Sequence, residues 1–253
     1  MLNLSRAGSI NSPDSLRGIH PWLEYWNAEN IWTDSALWRK QMEVFVRLSD
    51  GIMHYSASDK VLDYGCGSGN FAELIADRAG EVVCADVSEH YVAICKAKFA
   101  HARNVRVTRV APDLRDLSAL GTGFTAVNCL SVVQYFSHLG DVAAFVQGMQ
   151  KACAPGARLL IADVTANRRG LKYGLRTAAF LLREGMFLQA ATMFGKMWLF
   201  DSTYRKMRKG GATHLDIPEG YFASLAQELG ARATYLPQQL TLHADHQNVL
   251  IEF

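Results

Sequence analysis

The feature that most restricts this chain is a short apolar strand, Lys60-Val61-Leu62-Asp63-Tyr64, that runs directly into Gly65-Cys66-Gly67-Ser68-Gly69 and then into a helical pattern from Asn70 to Ala79. Glycines let the backbone turn tightly and let a ligand approach it closely. In open α/β sheets such a turn lies at the carboxyl edge of the strands, where ligands bind. A phosphate-cradling P-loop would end in Gly-Lys-Ser/Thr, and Gly69-Asn70-Phe71 stands there instead. A dinucleotide fingerprint would need its third glycine at position 70, which is Asn70; that reading is weakened but stays open.

The pattern around the turn repeats. Strands are predicted at Glu81–Ala85, ending at Asp86, and at Val105–Val110, Phe124–Leu130 and Arg158–Asp163, with helices at Val92–Phe99 and Val142–Ala152. A helix over Pro218–Leu229 precedes two closing strands near Ala233–Thr241 and Val249–Phe253. Such alternation implies right-handed crossovers and a mainly parallel, doubly wound α/β sheet. No repeat or linker interrupts it, so one domain over 1–253 is expected, with a helical cover at about 15–50 and a helical cap insert at about 166–212.

A chain of 253 residues, 49% apolar, buries enough surface to fold without disulfides or metals. Its five cysteines, Cys66, Cys84, Cys95, Cys129 and Cys153, are odd in number and show no C-x-x-C spacing, which points to reduced core thiols. Met1 to Pro13 is polar, without a signal core, and no run reaches the ~18 apolar residues of a membrane span. A cytoplasmic location is expected.

Val61 to Asn70 resembles the first motif of the class I S-adenosylmethionine-dependent methyltransferases, an acid followed by G-x-G-x-G. Further landmarks follow in order over roughly 58–165: Val83-Cys84-Ala85-Asp86-Val87-Ser88, Pro112 to Leu117, Phe124 to Leu130, and the Pro155-Gly156 turn into the fifth strand. The resemblance implies a Rossmann-like sheet of seven strands with the last antiparallel, and S-adenosylmethionine as cofactor. It also implies that Asp63 accepts from the cofactor's ammonium, while Gly65, Cys66, Gly67 and Gly69 line its methionine and ribose side. Asp86, next to Val87, would take the ribose hydroxyls, Asp113 and Leu114 the adenine, and Leu130 would face the cofactor.

Candidates for the chemistry lie after strand four, where Gln134, Tyr135 and His138 fall in Ser131 to His138. His243-Ala244-Asp245-His246, between the last two strands, invites a metal reading; with no third histidine nearby, a polar turn and no metal are expected. His214 is a further candidate.

Two segments outside the shared pattern are expected to set specificity. Four tryptophans fall within Trp22 to Trp38, with Trp26 or Trp32 expected near the substrate. Thr165 to Gly211 carries a net charge of +8 against −6 for the rest, with apolar stripes such as Leu171, Leu175 and Leu182. It reads as a packed cap with solvated basic residues; the alternative is a lid for an anionic, apolar or lipid-linked small-molecule substrate, with peripheral membrane contact. No nucleic-acid module is visible, so nucleic acid is not the expected partner. Rival functions are another sulfonium-nucleoside transfer and a catalytically silent binding module.

Overall fold

The computed structural model describes residues 20–30, 33, 35–111, 117–165, 171–200 and 214–253. Seven strands form one sheet: β1 (Lys60–Tyr64), β2 (Glu81–Asp86), β3 (Val105–Arg109), β4 (Phe124–Leu130), β5 (Cys153–Val164), β6 (Arg232–Tyr235) and β7 (Gln247–Glu252). Their order is β3-β2-β1-β4-β5-β7-β6, with β7 antiparallel to both neighbours and the rest parallel. This is the doubly wound, Rossmann-like sheet expected. The order reverses between β1 and β4, which makes the crevice beyond their carboxyl ends the topological switch point.

The central strands are apolar because both faces are covered. Successive side chains alternate between two cores. Leu62, Val83, Val127 and Ile161 face one side with α5 (Leu139–Ala152) and the helix Tyr221–Glu228. Val61, Val82, Ala126 and Leu160 face the other, with α2 (Ala36–Met53), α3 (Asn70–Ile75) and α4 (Glu89–Lys98). Hydroxyls start two of these helices: Ser35 accepts from Trp38 N, and Ser88 from Tyr91 N.

The segment before the sheet begins with α1 (His20–Asn27). The insert contains α6 (Leu171–Arg183) and α7 (Phe187–Phe200). Phe180, Leu181, Met186, Ala190 and Met193 pack on Leu37 and Val44 of α2 and on Leu242. The cap thus rests on the helical cover. The helix Tyr221–Glu228, α8, follows it.

Two predicted elements end early. Asn70–Ala79 is helical only to Ile75, after which the chain turns toward β2. The strand predicted as far as Thr241 stops at Tyr235, before Pro237, which has no amide hydrogen for a ladder. The following loop buries Leu240 and Leu242, and the Gln41 side chain bonds to Leu240 O at 3.3 Å and Leu242 N at 2.8 Å. This loop delivers His243 and His246 to the carboxyl edge. Among the described residues no helix is long and apolar enough to cross a membrane.

Candidate active site

The crevice at the switch point is a cavity of about 370 Å³. Its glycine turn hangs from β2 through Gly65 N and Cys66 N, both bonded to Ala85 O, at 2.7 and 3.1 Å. Gly65 (φ 76°) has no room for a side chain, because a Cβ there would lie 2.3 Å from Val132 Cγ2. Gly67 (φ 52°) donates its N–H to Asp86 Oδ2 at 2.9 Å, and Ser88 N donates to Asp86 Oδ1 at 2.9 Å. The turn and the acid at the end of β2 are therefore one unit.

Asp63 lies at the end of β1, in register with Asn128 of β4, whose Nδ2 donates to Asp63 Oδ1 at 3.0 Å. Asp63 Oδ2, Asn128 Oδ1 and Gln134 Oε1 are buried acceptors with no hydrogen-bond partner among the described residues. Burial pushes the Asp63 carboxyl up to about 7 and that of Asp86 up to about 6. Buried polar atoms are ordinarily paired. Three orphaned acceptors in residues that share one cavity call for a ligand that donates several hydrogens from one end.

Aromatic rings close the crevice. Trp22 of α1 stacks on His214 with ring centres 4.9 Å apart, and both meet Tyr135 edge-on at 4.9 and 5.2 Å. Trp26 contacts Tyr135 at 5.6 Å. The bond from Leu215 N to Gln134 O, 2.8 Å, ties the His214 segment to the end of β4.

Of the residues singled out in the sequence, Asp63, Gly65, Cys66, Gly67, Asp86, Val87, Leu130, Gln134 and Tyr135 line the cavity. Trp26 and His214 also line it. Gly69 does not; it turns the chain into α3 at φ 74°. His138 does not either; it precedes α5 and its N–H bonds to Asp141 Oδ2 at 3.1 Å. Asp113, Leu114 and Trp32 lie outside the described residues.

The sequence reading missed two residues. Asn128 had a visible signal, a polar residue inside the apolar run Phe124–Leu130. Asp163, the last residue of the fifth predicted strand, carries no such signal. In the structure it takes His243 Nδ1 and His246 Nδ1 on Oδ1, each at 2.9 Å. Burial works to raise its carboxyl, but the two imidazoles hold it well below the usual carboxylate range.

Residues 61–156 match the family model described as a methyltransferase domain. That match, on a sheet of this strand order, makes residues 61–156 a methyltransferase domain. A ubiquinone biosynthesis O-methyltransferase of Mesorhizobium japonicum is 31% identical over 139 residues, 54% of this chain and 53% of that relative. The chain thus spans about half the length of the curated relatives it matches. Two solved methyltransferases have a similar fold. A Leishmania major S-adenosylmethionine-dependent methyltransferase superimposes with a TM-score of 0.59, at 12% identity, over 93% of this chain and 82% of that one. The N-methyltransferase NodS of Bradyrhizobium japonicum, in complex with S-adenosylhomocysteine, gives 0.54 at 17% identity, over 93% and 97%.

Proposed function

We propose that this chain transfers a methyl group from S-adenosylmethionine to a small or medium-sized metabolite by in-line displacement. The observation that carries this reading is the partnerless Oδ2 of Asp63, set in one cavity with an Asp86 that is bonded to the glycine turn. The orphaned oxygens of Asp63, Asn128 and Gln134 suit an ammonium group. Each Asp86 oxygen accepts one backbone N–H and keeps a lone pair for a ribose hydroxyl. Val87 and Leu130 supply apolar walls, and Asp113 and Leu114 are assigned to the adenine by resemblance.

When bound, the cofactor supplies a methyl already activated by its sulfonium. The protein's part is then to align the acceptor with that methyl and to exclude water. Alignment can contribute roughly 7–11 kcal/mol to such a step. Trp22, Trp26, Tyr135 and His214 form the group suited to this, and their ring faces fit a flat or apolar acceptor. Incubation with methyl-labelled S-adenosylmethionine and a metabolite extract tests the reaction. The expected result is S-adenosylhomocysteine release with one labelled methyl on an extracted compound. Release of another fragment of the nucleoside would identify a different transferase, and binding without turnover a silent module.

The cap supports a finer reading, an anionic or lipid-linked acceptor met at a membrane surface. Leu171, Leu175, Leu182, Phe187 and Leu188 are exposed on α6 and α7, in a segment with Lys172, Arg176 and Arg183. An apolar surface with basic residues suits an anionic interface. Co-sedimentation with phosphatidylglycerol vesicles, lost in the Leu175→Glu/Leu182→Glu variant, is the expected outcome; no sedimentation of the parent chain counts against it.

A further inference from the structure

The acid at the end of β5 is held more elaborately than a strand terminus needs. Asp163 is 2% exposed and has φ 61°, a left-handed conformation that non-glycine residues rarely adopt. Ser131, the residue just past β4, is left-handed too, at φ 57°, and donates its hydroxyl to Asp163 Oδ2. Such strain concentrates at functional sites. Asp163 N bonds to the Asn248 side chain at 2.9 Å, which fixes the backbone.

Donors converge on one atom. Asp163 Oδ1 takes Thr241 Oγ1 at 2.7 Å as well as His243 Nδ1 and His246 Nδ1 at 2.9 Å. A carboxylate oxygen presents two lone pairs, so three donors overfill it. The two imidazoles stack with centres 4.4 Å apart, and the three ligand atoms, one from each residue, lie within 4.8 Å of one another. Arg176 of the cap holds Asp245 at 2.6 Å, so the remaining acid of the turn is already paired and the turn is anchored. All three ligand residues line the cavity that contains Asp63 and Asp86.

We propose that Asp163, His243 and His246 form a divalent transition-metal site of two imidazoles and one carboxylate. The nitrogen-rich set suits zinc, cobalt, nickel, manganese or iron rather than calcium or magnesium. Ligand bonds of about 2.0–2.2 Å need each Nδ1 only slightly further from Asp163 Oδ1 than the 2.9 Å at which it stands. On binding, the cation displaces the Nδ1 proton of each imidazole, to Nε2 of a neutral ring or to solvent from a charged one, and takes the freed Nδ1 lone pair. Ser131 and Thr241 then hold the carboxylate in place from behind. The fourth position is left to a ligand in the cavity. The site stands apart from the methyl-transfer reading, but its role there rests on it. An acceptor hydroxyl that coordinates the cation gives its proton to solvent and keeps the electron pair that attacks the methyl. The acceptor class implied is an oxygen nucleophile.

The test uses the untagged chain, stripped with chelator and titrated with Co²⁺ and Zn²⁺ in the absence of cofactor. One equivalent is expected, with visible ligand-field bands for Co²⁺. His243→Gln and His246→Gln should each weaken binding at least about 10-fold, and Ser131→Ala about 10–100-fold. Calorimetry with S-adenosylhomocysteine shows whether each variant keeps its fold, and it reads the methyl-transfer proposal separately from metal uptake. No stoichiometric uptake, or a His243→Gln/His246→Gln chain that binds as tightly as its parent, overturns the metal site.

Discussion

Gly67 donates its backbone N–H to Asp86 Oδ2 across 2.9 Å, so the glycine turn is held by the same carboxylate that we propose takes the ribose. Asp86→Ala removes that tie together with both proposed hydroxyl contacts. Hydrogen bonds to a charged group are worth about 1.5–3 kcal/mol each, so S-adenosylhomocysteine affinity should fall at least about 100-fold. The seven-stranded sheet does not depend on this carboxylate, and circular dichroism should remain that of the parent.

The buried carboxyl of Asp63 makes the unliganded protein pH-sensitive. Its folded value, about 7, lies above its ordinary 3.8. Between those values the folded state binds the proton that the unfolded state has lost, so stability falls as pH rises from about 4 to 7. Asp63→Asn removes this effect. The variant should melt higher than the parent at pH 8, by about 2–4 °C for each kcal/mol regained, while losing cofactor affinity. In the parent, affinity for an ammonium-bearing ligand should rise with pH through this range. A variant that melts lower at pH 8 would contradict the assignment of burial as the cause.

Gly65 is fixed by space as well as by conformation. A Cβ would strike Val132 Cγ2 at 2.3 Å, in a residue with φ 76°. Gly65→Ala should therefore lose about 1–3 kcal/mol of stability and displace the turn from the nucleoside. Adding Val132→Ala relieves the collision but not the backbone strain, so thermal denaturation should show partial recovery only.

In the proposed reaction the aromatic group separates acceptor handling from cofactor handling. Trp26 meets Tyr135 at 5.6 Å, and it holds Ser88 only through its backbone carbonyl, at 2.8 Å, a contact that survives substitution. Trp26→Ala should keep the Kd for S-adenosylhomocysteine within about threefold and raise the KM for the acceptor. A change confined to the nucleoside would move Trp26 to the cofactor side.

The sheet and the candidate crevice are legible in the sequence because their signals are local. Apolar runs ending in Asp63 and Asp86, and glycines at fixed offsets, specify a turn whatever lies elsewhere in the chain. The Asp163 cluster was not legible. The sequence places His243 and His246 in the link between the last two strands, but about 80 residues separate them from Asp163 and no local pattern pairs them with it. Only the early end of β6 at Tyr235, with Leu240 and Leu242 buried beyond it, brings the two histidines to the acid. The position of His138 was also beyond sequence, since whether a loop histidine faces a crevice depends on where the next helix begins. Here α5 starts directly after it.

Isothermal calorimetry of the full chain with S-adenosylhomocysteine, run beside NAD, tests the central claim most directly. The account predicts a single nucleoside site that Asp86→Ala abolishes, and no heat with NAD. An absence of S-adenosylhomocysteine binding, or tighter binding of the dinucleotide, would contradict it.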